Sequence, residues 1–364
     1  MILGNRNAPA SVATTTRAKP FNHFMSLYNE AAAASLRAKV STLTNGGLVR
    51  LVAIGDSATT GVGGGGRRQS WVSQLASRLD ASPSISITGW WHGLNPQAGW
   101  VNDSRFGYAG GVVTNRTDHA VTLPSGASVT FTSDFPSTAI DVHYAHRGLL
   151  GATVGAFTVE VDGGAPVTVT PSGANALGVY SLSGLSSAAH TVTITGAGSG
   201  ADAFVFGLGE YSSRTSGLHV INGGIVGSKA SDWQTDVWLF QWAQTMSHGV
   251  DVAIISLGVN DATGPDVGAF KTRMTDIVAH TRALTPAVGL LVEAPPTNAA
   301  WPTYVGAQYD LADSLDLPLW DATSRFLSRD IGGALGLYAD VTHPSAQGYA
   351  AIAAMVAQSF TAYF

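Results

Sequence analysis

The chain of 364 residues has no cysteine, which excludes a disulfide framework, a thiolate zinc site, an iron–sulfur cluster and a cysteine nucleophile. Charge is scarce as well. Asp, Glu, Lys and Arg make up only 12% of the residues, the formal net charge is -5, and no run of Lys or Arg occurs, so a nucleic acid is not an expected partner. No uninterrupted apolar stretch reaches the ~20 residues that a membrane helix needs, so no membrane span is expected and the chain reads as soluble. The segment Met1 to Pro20 is polar and rich in Pro and Thr, without the apolar centre of a secretory signal. That leaves either a trimmed leader or a route out of the cell that needs none.

What is present argues for a large folded core. Apolar residues make up 45% of the chain and 43 positions are Gly, a composition of many turns and strands rather than of disorder. The length suits one large α/β domain with a smaller companion. In Phe21 to Val40, the residues Phe24, Leu27, Tyr28, Ala31, Leu36 and Val40 recur at helical intervals. The run from Leu48 to Ile54 reads as a buried strand that stops at Gly55-Asp56-Ser57. A helix over Arg67 to Leu79 follows, with Trp71, Leu75, Ala76 and Leu79 on one face.

The strand–helix alternation returns at His219 to Asn222. It continues with a helical segment near Trp233 to Met246, a strand Val252 to Leu257, a helix Val267 to Leu284 and a strand Val288 to Glu293. A helix Tyr304 to Asp316, a short strand Leu317 to Trp320 and a closing helix Ser345 to Phe360 complete it. Such alternation predicts a parallel sheet covered on both faces. Gly110 to Tyr211 differs in texture, with Val/Thr-rich alternating stretches broken by Gly, Pro and Asp-Gly. Ala156 to Thr170 reads as a hairpin turned at Asp162-Gly163, and Ala189 to Thr195 and Ala203 to Leu208 add strands. This pattern predicts an all-β sandwich inserted into the α/β domain.

Four short motifs stand in order: Gly55-Asp56-Ser57, Asn222-Gly223-Gly224-Ile225-Val226-Gly227, Gly258-Val259-Asn260-Asp261 and Asp340-Val341-Thr342-His343. Acyl transfer needs a hydroxyl nucleophile, a base for its proton, a carboxylate to hold that base, and donors for an oxyanion. Ser57, His343, Asp340 and the Gly227/Asn260 pair can fill those roles. Each motif alone is weak; their joint order, each at a predicted strand end, is specific.

In these four blocks the chain resembles the SGNH (GDSL-type) hydrolase family, over about 48–80 and 218–360. The resemblance implies a three-layer α/β/α flavodoxin-like domain and a serine esterase without a cofactor. It implies Ser57 as nucleophile, with Asp340 and His343 completing the triad. The oxyanion hole would combine the Ser57 backbone N–H, the Gly227 N–H, brought close by the missing Cβ, and the Asn260 amide. The middle segment is similar to the carbohydrate-binding, jelly-roll-like β-sandwiches that some polysaccharide O-acetylesterases of the family carry between their first and second blocks. The expected organisation is a lead and helix at 1–44, a first hydrolase part at 45–105, the insert at 106–212 and a second hydrolase part at 213–364.

The expected activity is hydrolysis of carboxylic esters through an acyl-enzyme on Ser57, with an acylated polysaccharide or cell-wall glycan as substrate. Two alternatives stand beside it: a lipase-like esterase for longer acyl chains, and a glycan-binding phage tail or adhesion protein with an esterase domain. The run Gly55-Asp-Ser-Ala-Thr-Thr-Gly61 after an N-terminal helix also resembles esterase-like proteins of phage tail modules. The expected location is accordingly extracellular or virion-associated. Oligomeric state is left open.

Three further signals have plainer explanations. Gly61 to Gly66 satisfies G-x-G-x-x-G, yet several residues separate it from the strand end and Arg67-Arg68-Gln69 follows it, unlike a dinucleotide or phosphate loop; it reads as a mobile rim of the cleft. His143 and His146 on one strand would point to opposite faces, which argues against a metal. Trp90, Trp91 and Trp100 form a candidate sugar platform, and Trp301 a candidate wall of the acyl pocket, although core packing also accounts for tryptophans.

Overall fold

The computed structural model describes residues 27–97, 103–114, 119–146, 153–172, 177–234 and 245–361. Its backbone is one large mixed sheet. Six strands run parallel, in the spatial order Leu319–Asp321, Val288–Val292, Val252–Ser256, Leu48–Gly55, Gly217–Gly224 and Ile87–Gly93. Leaving out Ile87–Gly93, the order is that of a flavodoxin-like sheet. The chain leaves Leu48–Gly55 first for Gly217–Gly224 on one side and then for Val252–Ser256 on the other. Such a reversal opens a crevice at the carboxyl ends of the strands.

Alternation along Leu48–Gly55 decides what lies on each face. Leu51 and Ala53 point to a cluster with Leu36, Val40, Trp71, Leu75, Ile352 and Val356, contributed by the helices Ala34–Thr44, Trp71–Asp80 and Ala346–Thr361. Val52 and Ile54 point to the opposite cluster, with Phe270, Met274, Ile277 and Leu311 of the helices Val267–Arg282 and Trp301–Ser314. Burying one such side chain contributes ~1.5–3 kcal/mol, so two apolar faces hold the sheet between two helical layers. The helix Trp71–Asp80 starts where it does because the Ser70 hydroxyl accepts from the Ser73 N–H, replacing a bond that the first turn cannot make.

The start of the chain departs from the predicted helix over Phe21 to Val40. Residues 21–26 lie outside the described ones, and Leu27–Tyr28 is a short strand antiparallel to Leu319–Asp321. Asn29 then turns through a left-handed conformation (φ 54°) while its amide donates to Asp316. The α-helix begins only at Ala34. Of the segment near Trp233 to Met246, the turn Ala230–Trp233 is 3-10, and 235–244 lie outside the described residues.

The β-rich middle forms two layers. Ser137–Ala145, Leu177–Ala188 and Ala203–Tyr211 extend the large sheet, joined antiparallel to its parallel part through the pairing of Ala203–Tyr211 with Ile87–Gly93, and Val121–Leu123 pairs with Ala203–Tyr211. A second sheet of Phe106–Ala109, Ser128–Thr132, Thr191–Gly196, Phe157–Val161 and Val167–Val169 lies over this extension. Phe131, Phe157, Val159 and Ile194 from one layer and Ile140, Val142, Val205 and Leu208 from the other share one buried cluster. The predicted turn at Asp162-Gly163 has positive φ at both residues (54° and 73°), and the Gly164 N–H returns to the Val161 carbonyl, the geometry that suits a twisted hairpin. One layer of the insert is therefore continuous with the parallel part of the large sheet.

Candidate active site

The crevice holds the first motif at the end of its strand. Glycine is forced at position 55, where a Cβ would stand 1.9 Å from Thr59 Oγ1 and 2.8 Å from the Ser256 carbonyl. Asp56 then caps a one-turn helix, Ser57–Thr60, by accepting from the Ala58 N–H at 2.9 Å. Ser57 is the first residue of that turn, so its own N–H has no role in the helix. The side chain is 6% exposed. Asn222, at the end of the neighbouring strand, donates to the Thr59 carbonyl at 2.9 Å and to Ser70 Oγ, tying the turn to the sheet.

The fourth motif is a self-closed loop. Asp340 Oδ1 accepts the N–H groups of Thr342 and His343, both at 2.7 Å, a side-chain-to-backbone turn of the kind that aspartate makes readily. Its other oxygen, Oδ2, faces His343 Nδ1 at 2.8 Å. The loop is clamped at its base by the bond from the Ala339 N–H to the His343 carbonyl and by the bridge between Tyr338 and Pro344. His343 Nε2 then stands 2.9 Å from Ser57 Oγ. Burial pushes the Asp340 carboxyl up, but the two N–H bonds and the imidazole outweigh this and hold it below the ordinary carboxylate range.

The candidate oxyanion residues are placed less simply. Gly227 is solvent-exposed with φ 76°, and a Cβ built there meets nothing within 4 Å. Glycine is favoured here by the left-handed backbone, and no protein atom crowds the position. The Asn260 amide donates to Asp56 Oδ2 at 2.9 Å and to the Ser228 carbonyl at 3.0 Å. Both its protons are engaged in the free protein, and an oxyanion would have to share one.

Behind Asn260 sits a set of buried acids. Glu293, 3% exposed at the end of its strand, accepts the Val259 N–H at Oε2 (3.1 Å) and lies in hydrogen-bonding contact with Asp56. Burial and the neighbouring Asp56 charge push Glu293 well above the ordinary range. Asp261 accepts the Ala230 N–H and is pushed up to about 6, chiefly by burial. Gln97 links the second motif to the loop before the insert, donating to the Gly224 carbonyl and accepting from the Val226 N–H. Neither Glu293 nor Gln97 belongs to a sequence motif; the one available signal was a lone carboxylate closing an otherwise apolar strand.

The aromatic candidates do not gather at Ser57. Trp301 is 2% exposed and donates its indole N–H to Thr323 Oγ1, and Trp91 is 2% exposed and packed against His119 and His248. This burial corrects the reading of them as substrate contacts: Trp301 opens the helix Trp301–Ser314 with its ring in the core, and Trp91 belongs to a strand of the sheet interior, covered on both faces. Trp90 is half-buried and lines a cavity of about 320 Å³ with Arg67, His92, Arg105 and Glu210, and Ser57 is not among the lining residues. Trp100 lies outside the described residues. The glycine run expected to be a mobile rim instead packs against the fourth motif, since a Cβ at Gly63 (φ 84°) would stand 2.8 Å from His343 Cβ and 2.9 Å from the Pro344 carbonyl.

Residues 190–351 match the GDSL-like Lipase/Acylhydrolase family, a span that takes in the second, third and fourth motifs and stops short of the first, which the β-rich insert separates from them. Among solved structures, a peptidoglycan O-acetylesterase matches with 22% identity over 92% of this chain and 97% of its own, at a TM-score of 0.67. A family two carbohydrate esterase from Clostridium thermocellum, solved with cellohexaose, matches at 13% identity over 71% of this chain and 100% of its own, with a TM-score of 0.34. Of these two, the first alone is near enough in geometry to speak for the fold. No curated protein matches the chain.

Proposed function

We propose that this chain, which carries a domain of the GDSL-like lipase/acylhydrolase (SGNH) family and is a carboxylic ester hydrolase, removes acetyl groups from a polysaccharide or cell-wall glycan, with Ser57 as nucleophile. The carrying observation is the unbroken line Ser57 Oγ, His343 Nε2, His343 Nδ1, Asp340 Oδ2, with steps of 2.9 and 2.8 Å. His343 takes the Ser57 proton as Oγ attacks the ester carbonyl carbon, and Asp340 holds the imidazole in the required tautomer. Negative charge on the former carbonyl oxygen is received by the N–H groups of Ser57 and Gly227 and by the Asn260 amide, each such donor lowering the barrier by about 3 kcal/mol. The alcohol leaves with the proton from His343, and a water deprotonated by the same imidazole cleaves the acyl-serine.

The glycan assignment is supported by the likeness to a peptidoglycan O-acetylesterase, which extends over 92% of this chain and so over the β-rich insert as well as the catalytic layers. A second reading, an esterase for longer acyl chains, draws on a different observation. Leu327, Ile331 and Leu335 are 53, 46 and 60% exposed around the helix Arg329–Ala334, and Val341 within the fourth motif is 62% exposed. Arg329 ties that helix to the motif through the Asp340 carbonyl at 2.6 Å. The two readings separate on acyl-chain length and on polymer. Mass spectrometry of acetylated glycans and of p-nitrophenyl esters of graded length, incubated with wild type and with Ser57→Ala, is expected to show acetate release by the wild type alone and no gain from added methylenes. Release by Ser57→Ala at the wild-type rate would overturn the mechanism, and a rate rising with chain length would favour the second reading.

A further inference from the structure

Glu293 is a buried acid behind the site with few donors to support a charge. Its Oε2 accepts a single backbone N–H, from Val259. Its Oε1 is shielded from solvent and receives no N–H or hydroxyl hydrogen bond among the described residues. The group it faces is the Asp56 carboxyl, which by contrast accepts two donors, the Ala58 N–H and the Asn260 amide. Two buried carboxyl groups in contact cannot both ionise cheaply, and they settle by sharing one proton. Burial pushes both up, and the partner with more hydrogen-bond donors keeps the charge, which is Asp56. The proton therefore sits on Glu293 Oε1, where it satisfies an otherwise orphaned oxygen and supplies Asp56 with a third donor.

We propose that Glu293 is a positioning residue for ester hydrolysis: as the neutral acid it donates to Asp56, whose carboxylate fixes the Asn260 amide, and through Oε2 it fixes the Val259 backbone beside it. The inference rests on the reading of Asn260 as an oxyanion donor. It goes beyond that reading by assigning the orientation of the donor to a proton held between two acids that lie outside the triad. A neutral Glu293 has a second consequence, because the tetrahedral intermediate forms its negative charge beside Asn260. An ionised Glu293 would add like charge beneath it and raise the barrier.

The test is steady-state kinetics on p-nitrophenyl acetate with the full chain as wild type, Ser57→Ala, Glu293→Ala and Glu293→Gln, each checked by thermal unfolding. Glutamine can both donate to Asp56 and accept from Val259; alanine can do neither. Loss of orientation acts on the transition state, so Glu293→Ala is expected to lower kcat about tenfold or more with KM held within about twofold. Glu293→Gln is expected to recover most of the lost rate. A merely structural role would lower the unfolding temperature of Glu293→Ala without that split. Should Glu293→Ala not fold, Glu293→Met, which keeps the volume and neither hydrogen bond, takes its place in the comparison. An active wild type and dead Ser57→Ala, with Glu293→Ala at the wild-type kcat or Glu293→Gln no better than Glu293→Ala, would overturn this inference alone. Full activity of Ser57→Ala would remove the esterase mechanism and this inference with it.

Discussion

Ser57 Oγ and His343 Nε2 stand 2.9 Å apart although 286 positions separate them in the chain. Neither residue achieves this by local structure. Ser57 is delivered by the carboxyl end of a buried strand, and His343 by a loop clamped just before the last helix, Ala346–Thr361. That helix packs back on the same sheet and reaches the loop after Ser57 directly, the Tyr349 hydroxyl donating to the Val62 carbonyl at 2.6 Å. The pair is thus held by the two long elements behind it, a rigid support of the kind that catalytic geometry needs.

Replacing Ser57 by alanine removes the oxygen proposed to attack the ester and little else. Hydrolysis of p-nitrophenyl acetate is expected to fall by about 10⁴-fold or more, with the thermal midpoint nearly unchanged. Spectrophotometric rates and a melting curve on the same preparation check both halves of the expectation.

Asp340→Asn keeps an acceptor for the Thr342 and His343 N–H groups but presents an amide to the imidazole. The expected cost is about 10²–10⁴-fold in kcat. Because its N–H bonds hold the native carboxyl of Asp340 below its ordinary value, the sign of the linkage is fixed. The carboxylate contributes stability above the unfolded-state value of about 3.9 and loses it as pH falls through the lower folded value. Urea unfolding should give a wild-type-minus-variant difference that is constant at neutral pH and shrinks only in strong acid.

Two glycines distinguish backbone strain from collision. Gly63→Ala must displace the His343 loop, since its Cβ would lie 2.8 Å from His343 Cβ, and a misplacement approaching 1 Å costs on the order of 10²-fold in rate. Gly227→Ala meets open space and carries the left-handed penalty of about 1–2 kcal/mol. Kinetics and denaturant unfolding of both variants should show the larger kcat loss in Gly63→Ala.

Asp261 behaves oppositely to Asp340. Its folded pKa is raised to about 6 by burial, so the native state holds its proton more tightly than the unfolded chain, and stability is lost as pH rises from about 4 to about 6. Asp261→Asn keeps an acceptor for the Ala230 N–H without the charge. It is expected to be more stable than wild type at pH 8 by as much as about 3 kcal/mol, with no advantage near pH 4. Unfolding curves at the two pH values decide it.

The elements that the sequence announces are those with an unbroken apolar run or a clean helical stripe. Val252–Ser256, Val288–Val292 and the helix Trp71–Asp80 lie close to where periodicity puts them. Leu177–Ala188 is harder to read as a strand because only the half-buried Tyr180, Leu182 and Leu185, set among Ser and Gly, mark its inner face. The burial of Trp91 was hidden for a different reason: its strand is pinned between Gly217–Gly224 and Ala203–Tyr211, a pairing that only long-range geometry determines, while Trp90 of the same strand is half-buried and lines the cavity. Glu293 could not be read at all, since its meaning lies in the Asp56 carboxyl brought beside it by the fold.

The pairing of Ile87–Gly93 with Ala203–Tyr211 has a bearing on how the chain can be cut. Excising the insert to obtain a minimal catalyst would strip one side of Ile87–Gly93 and leave its N–H and C=O groups bare, a template for self-association. Trimming has to end beyond this seam, and motion of the β-rich part as a separate swinging body is blocked by the same ladder.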